Sequence, residues 1–232
     1  MDPVPSTSSE GTMYTLCWSS KGGSGTTVVA CGIALVSARF EPTILVDLGG
    51  DVAAALGAPA PTGPGVAEWL ASPRASGERL LALAAPVATD LTLVHSGEMS
   101  RGFDLTDVHE ERLAAALALS PHPIVIDAGS SVPGPVLHQC AEASLLVVRP
   151  CYLALRRAAR HATAATGVIV IHEPGRALSC ADVERAVGVP VLGEIPWDPA
   201  VARSVDAGLL GSRLPASLAR PLTRAHGAVR AA

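Results

Sequence analysis

Short apolar runs recur along the chain, each bounded by glycine, proline or charged residues. The runs are "MYTLCW" (13–18), "TILVD" (43–47), "LTLVH" (91–95), "IVID" (124–127), "SLLVV" (144–148), "GVIVI" (167–171) and "VLGEI" (191–195). Most are continuously apolar rather than alternating, the pattern of parallel strands covered on both faces. Helical stretches separate several of them, at 27–38, 109–119, 153–166 and 181–187. The 27–38 stretch is apolar on nearly every side, which predicts a central, buried helix. Strands alternating with helices in this way predict an α/β fold, a doubly wound, mostly parallel sheet with helices on both faces. Residues 57–66 ("GAPAPTGPGV") read as a loop rather than a domain boundary, and no internal repeat is present. The expected organisation is a loose polar tail over 1–12 followed by a single domain over 13–232.

Ligands in such sheets bind beyond the carboxyl ends of the strands. That rule gathers residues 19–27, 47–51, 127–131 and 172–174 along one edge. The first of these segments carries the chemistry. "KGGSGTT" (21–27) joins a strand to a helix. Its glycines let Gly22, Gly23, Ser24 and Gly25 curl so that successive N–H groups form an anion nest. The helix that follows Thr26 adds partial positive charge. Thr27 puts a hydroxyl where a phosphate-binding loop places its magnesium ligand, and Asp127 ends an apolar strand as a carboxylate holding a magnesium-bound water would. Lys21 is the only lysine, all sixteen other basic residues being arginine.

On these residues the chain resembles the ParA/MinD family of P-loop ATPases. Their loop reads K-G-G-x-G-K-[ST], and "KGGSGTT" matches it except at Thr26. "PTILVDLGGDVAAALG", "IVIDAGSS" and "EIPWDPAVARSVDAG" are similar to the family's second strand with its acidic segment, its Walker B and switch region, and its late "I-P-x-D" element. The "GTT" loop with "LLVVRPCYLALRRA" is most similar to the divergent CpaE/TadZ-like branch, which positions pilus or division machinery. The resemblance covers most of residues 13–210 and implies a P-loop NTPase-like fold, ATP and Mg2+ as cofactors, and a nucleotide-sandwich homodimer or homo-oligomer that recruits a protein partner. It makes Lys21 the lysine that reaches the other subunit's phosphates. Gly22 to Thr27 become the nucleotide-binding loop, and Thr27 and Asp127 the magnesium side. Asp47 matches the first acid of the family's D-x-D pair. The second, which positions the attacking water, falls on Gly49, with Asp51 as a stand-in two residues on. The family's adenine-contacting asparagine is replaced near His172 or Glu173.

Two groups that matter for hydrolysis are therefore absent. A hydrogen bond to a charged group contributes about 1.5–3 kcal/mol, so losing the loop lysine weakens binding roughly 10- to 150-fold. Rate suffers more, since single charge-stabilising groups in phosphoryl transfer contribute roughly 10³–10⁵. Slow hydrolysis or none is expected, and Arg149 and Arg101 are candidates to replace the missing charge. The competing reading is a pseudo-ATPase, a scaffold or filament former without nucleotide turnover.

Composition narrows the partners. A net charge of −4 argues against a chain built to coat nucleic acid. Residues 203–232 hold five arginines against Asp206 alone, read as a solvated face. Arg156, Arg157 and Arg160 on one expected helix read the same way, so non-specific DNA binding is possible but not favoured. Pro221 interrupts the terminal stretch, which argues against a membrane-anchoring helix. Five cysteines without a C-x-x-C pair, with Cys17, Cys31 and Cys140 in apolar runs, predict buried free thiols in a reducing compartment. The seven histidines show no H-x-x-x-H pair and no clustering with cysteine, so none is assigned to a metal. With no signal-peptide pattern and no transmembrane run, a cytoplasmic location is expected.

Overall fold

The computed structural model describes residues 14–98 and 105–230. The 1–12 segment and Arg101 lie outside the described residues. All seven apolar runs are strands of one eight-stranded sheet. In chain order these are β1 (Tyr14–Trp18), β2 (Thr43–Asp47), β3 (Ala85–Ala88), β4 (Leu91–Val94), β5 (Ile124–Asp127), β6 (Ala141–Val148), β7 (Gly167–His172) and β8 (Val191–Pro196). Their spatial order is β3-β4-β2-β5-β1-β6-β7-β8, and every neighbouring pair is parallel except β3–β4. The α/β, doubly wound expectation holds. The strand the sequence did not announce is β3, four half-exposed residues containing Pro86 at the sheet edge, where a missing N–H is tolerated.

Side-chain alternation splits the interior into two cores. From β1, Tyr14, Leu16 and Trp18 face one core and Cys17 the other. The first core is covered by α3 (Val66–Leu70), α4 (Gly77–Leu81), α5 (Asp107–Leu117), α6 (Pro135–Gln139), α7 (Tyr152–Ala158) and α8 (Cys180–Val187). The second is covered by α1 (Thr26–Ser37), α2 (Val52–Leu56) and α10 (Ala216–Arg230), with α9 (Pro199–Asp206) at its margin. Helix α1 is wrapped by the sheet and by α10, which is why it is apolar on nearly every side.

Three expectations are corrected. The helix expected over 153–166 ends at Ala158, because the backbone turns to i→i−3 bonds (Arg160 N–H to Arg157, His161 N–H to Ala158) before a 3₁₀ turn at Ala162–Ala164. Pro221 does not interrupt the terminal helix: α10 runs through it, with Pro221 itself buried beside Leu218 and Leu222. Cys17 and Cys31 are buried free thiols, but Cys140 caps the C-terminus of α6 and is exposed.

Leu222 is fully buried between α10 and the second core. Leu222→Ala is expected to destabilise the protein by about 2–5 kcal/mol in urea unfolding. The same truncation at Tyr152, 76% exposed, should change stability by less than about 0.5 kcal/mol.

Candidate functional site

The strand order reverses about β1, and the crevice beyond its carboxyl end is where such sheets bind ligands. Cys17 is level with Asp127, and Asp127 with Asp47, so two carboxylates end adjacent strands at the same height. Trp18 fixes the end of β1. Its fully buried indole donates to Ser144 Oγ on β6 at 2.9 Å and meets the edge of His138.

The chain leaves β1 through a loop tied by its own hydroxyls. Ser19 and Ser24 both donate to the Lys21 carbonyl, at 2.9 and 2.7 Å. Gly25 precedes α1 in the left-handed region (φ 86°), and a Cβ there would stand 2.7 Å from Ile171 Cδ1. The left-handed backbone favours glycine, and a side chain there would also have to push the tip of Ile171 aside. The loop rims a cavity of about 610 Å³ lined by Gly22, Gly23, Ser24, Gly25, Thr26 and Thr27 together with residues 48–51 and 128–131. That volume falls in the range of small-molecule sites. Thr26, in the position of the usual lysine, is buried.

Asp127 lies under this loop with no solvent exposure. Its Oδ1 accepts from the Gly129 N–H at 3.0 Å, whereas Oδ2 has no well-formed hydrogen bond. Burial first, then the Asp47 charge, pushes its pKa up to about 7, against the opposing pull of the Thr27 hydroxyl and the Gly129 N–H. A buried carboxylate oxygen without a well-formed hydrogen bond, beside a threonine hydroxyl, fits a hard cation. Thr27 and Asp127 are therefore brought together.

The other acids separate. Asp47 is not at the cavity wall. Its carboxylate accepts from the N–H groups of Gly49 (2.9 Å), Gly50 (2.6 Å) and Val52 (3.2 Å), which folds the loop after β2. Burial still raises its pKa. Asp51 is exposed, caps α2 without a side-chain hydrogen bond and lines the cavity. At Gly49 a Cβ would lie 3.3 Å from both Asp127 Oδ2 and the Gly129 Cα. A side chain there requires the Asp127 carboxylate or the Gly129 backbone to give by a few tenths of an ångström.

Lys21 is half-buried and is not among the residues lining this cavity. Its charge reaches Glu173, whose pKa is lowered first by Arg176 and then by Arg149 and Lys21. Glu173 pairs with Arg149 (3.4 Å) and Arg176 (2.6 Å), and the Arg149 guanidinium sits 4.5 Å over the Trp197 ring. Arg149 thus lines a second, apolar cavity of about 230 Å³ with Gly25, Val28, Ile171, Pro196 and Trp197, rather than the polar one. As a candidate to replace the missing charge, Arg149 stands next to the loop through Gly25 but outside the polar cavity. Nothing in the sequence beyond the "EIPWD" element announces the apolar cavity. Asp198 accepts from Ala200 N–H and Ser217 Oγ (2.6 Å), joining α9 to α10 beneath it.

Class follows from these parts: an α/β sheet of P-loop NTPase type with a glycine-rich, helix-opening loop over a buried carboxylate. No protein-family model and no curated protein matches the chain by sequence. Solved structures do match, and the fold is that of the ParA/MinD ATPases. A ParA family ATPase from Chlorobium tepidum has TM-score 0.73 and 20% identity, covering 92% of this chain and 96% of that one. MinD from Aquifex aeolicus has TM-score 0.74 and 16% identity, covering 95% and 97%. MinD from Pyrococcus horikoshii, in complex with Mg-ADP, has TM-score 0.73 and 16% identity, covering 94% and 96%.

The Asp127 environment predicts a pH signature in the ligand-free protein. Its folded pKa, about 7, lies above the unfolded value of about 3.9. Between them the native state binds more protons than the unfolded chain, so stability falls as pH rises through that window, by at most ~4 kcal/mol. Asp127→Asn should flatten the decline in thermal melts and be the more stable protein above neutrality.

Proposed function

We propose that the chain is a nucleotide-binding switch of the ParA/MinD type, which binds ATP with Mg2+ and pairs with a second copy to recruit a protein partner. The observation that carries this reading is the buried Asp127 Oδ2, without a well-formed hydrogen bond beside Thr27 and under the loop of Gly22 to Thr27. The loop nest and the N-terminus of α1 hold the phosphates. Thr27 and Asp127 would hold magnesium, which would supply positive charge to the phosphates. The apolar cavity, contiguous through Gly25 and Val28, takes the base against Trp197 and Pro196. Lys21, standing outside the phosphate cavity, serves the facing subunit.

Hydrolysis is slow or absent on this reading. Thr26 brings no charge, Gly49 brings no carboxylate, and Asp47 is committed to backbone amides; only Asp51 is free to orient a water. The "GTT" loop favours the CpaE/TadZ-like role of positioning cytoplasmic machinery. Arg156, Arg157 and Arg160 are all exposed on or just beyond α7, as a solvated face requires, and DNA is not the favoured partner. Among the described residues no helix is long and apolar enough to cross a membrane.

Calorimetric titration of ATP with magnesium, with light scattering in parallel, tests the proposal. Expected are micromolar-range binding and growth in size. Thr27→Ala should weaken binding roughly 10-fold or more, and Lys21→Ala should impair assembly. No heat and no size change up to millimolar ATP would establish instead the scaffold reading, which the buried Thr26 favours. Unaltered binding and assembly in Lys21→Ala would sink the switch.

A further inference from the structure

Outside the nucleotide crevice, three potential metal ligands of different chemistry converge at the far side of the sheet. His172 ends β7, Glu194 lies on β8, and Cys180 is the first residue of α8. One donor atom from each lies within 4.8 Å of the other two. The His172 Nδ1 is shut off from solvent and lacks a well-aligned hydrogen bond, although Glu194 Oε1 is 2.9 Å away. The position of Cys180 is fixed by a reciprocal cap, in which Ser179 Oγ accepts from the Asp182 N–H (3.2 Å) and Asp182 Oδ2 from the Ser179 N–H (2.9 Å).

We propose that His172, Cys180 and Glu194 form a site for a thiophilic divalent cation, Zn2+ in particular. Imidazole, thiolate and carboxylate together suit this borderline-soft ion, and the softness of sulfur disfavours Mg2+ and Ca2+. Bonds of about 2.0–2.3 Å place tetrahedral ligand atoms roughly 3.3–3.7 Å apart. A pair at the 4.8 Å limit needs to close in by about 1–1.5 Å, while His172 Nδ1 and Glu194 Oε1, at 2.9 Å, need only open slightly, both within reach of side-chain torsions. Glu194, half-exposed, opens an entry path from solvent. One thiolate and one carboxylate match the charge of a dication. Metal capture by the Cys180 sulfur displaces the thiol proton to solvent. Three protein ligands leave a fourth coordination position for water or a side chain of another molecule. Nothing in this proposal rests on nucleotide binding.

Cobalt(II) titration of the reduced protein, followed by thiolate-to-metal charge-transfer absorption, tests it. Expected is one equivalent of Co2+ with a charge-transfer band, displaced by Zn2+. Cys180→Ser should abolish the band, and Glu194→Gln and His172→Gln should each weaken affinity at least tenfold. Cys140 is exposed and Cys151 partly so; the double variant Cys140→Ser/Cys151→Ser should keep the band. Absence of the band in the unaltered protein, its survival in Cys180→Ser, or its loss in the double variant would each overturn the proposal. Glu194 is exposed enough to be replaced without harm to the fold, so unchanged affinity in Glu194→Gln would overturn it as well.

Discussion

A carboxylate buried at the centre of the sheet is the constraint on which the rest of the structure depends. Asp127 has no exposure, one oxygen is held by a single backbone N–H, and a second carboxylate, Asp47, stands level with it one strand away. Two such groups repel each other and both resist ionising in a dry interior. The surroundings answer in different ways. Three amides of the 49–52 turn absorb the Asp47 charge. For Asp127 only the Thr27 hydroxyl and the Gly129 N–H oppose the desolvation. Asp127 is thus the group left with unmet demand, and the cavity above it is where positive charge is most strongly favoured.

That demand explains the shape of the loops. The 49 and 129 loops nearly touch beside Asp127, a Cβ at Gly49 standing 3.3 Å from its Oδ2 and from the Gly129 Cα. Close approach by bare backbone keeps the cavity polar without charged side chains. It also explains why a carboxylate at position 49 is not a simple addition.

Strands were legible because burial on both faces leaves continuous apolar runs, and α1 because burial on all sides leaves no polar stripe. The grouping of the 19–27 loop with Thr27, Asp51 and Asp127 was legible because strand order alone decides which loops meet. Other features were hidden for physical reasons. The consequence of a proline depends on what surrounds it, and Pro221 is accommodated in α10 with the ring packed into the core. The Asp47 carboxylate points at amides whose direction is set by the following turn, so a residue that resembled a catalytic acid is an organiser of backbone. Cys140 sits in an apolar stretch of sequence but falls at a helix-to-strand junction. His172, Cys180 and Glu194 follow no helical or zinc-type spacing. Only the pairing of β7 with β8 and the seating of α8 bring them together.

The end of β7 joins the two halves of the chemistry. His172 turns toward Cys180 and Glu194, while the next residue, Glu173, turns toward Arg149, Arg176 and the charge of Lys21. Arg149 in turn covers Trp197 at the apolar cavity. Both residues hang from the same stretch of backbone, which β8 pairs at His172, so the pairing that places His172 also places Glu173, whose carboxylate holds Arg149 over the cavity and attracts the only lysine.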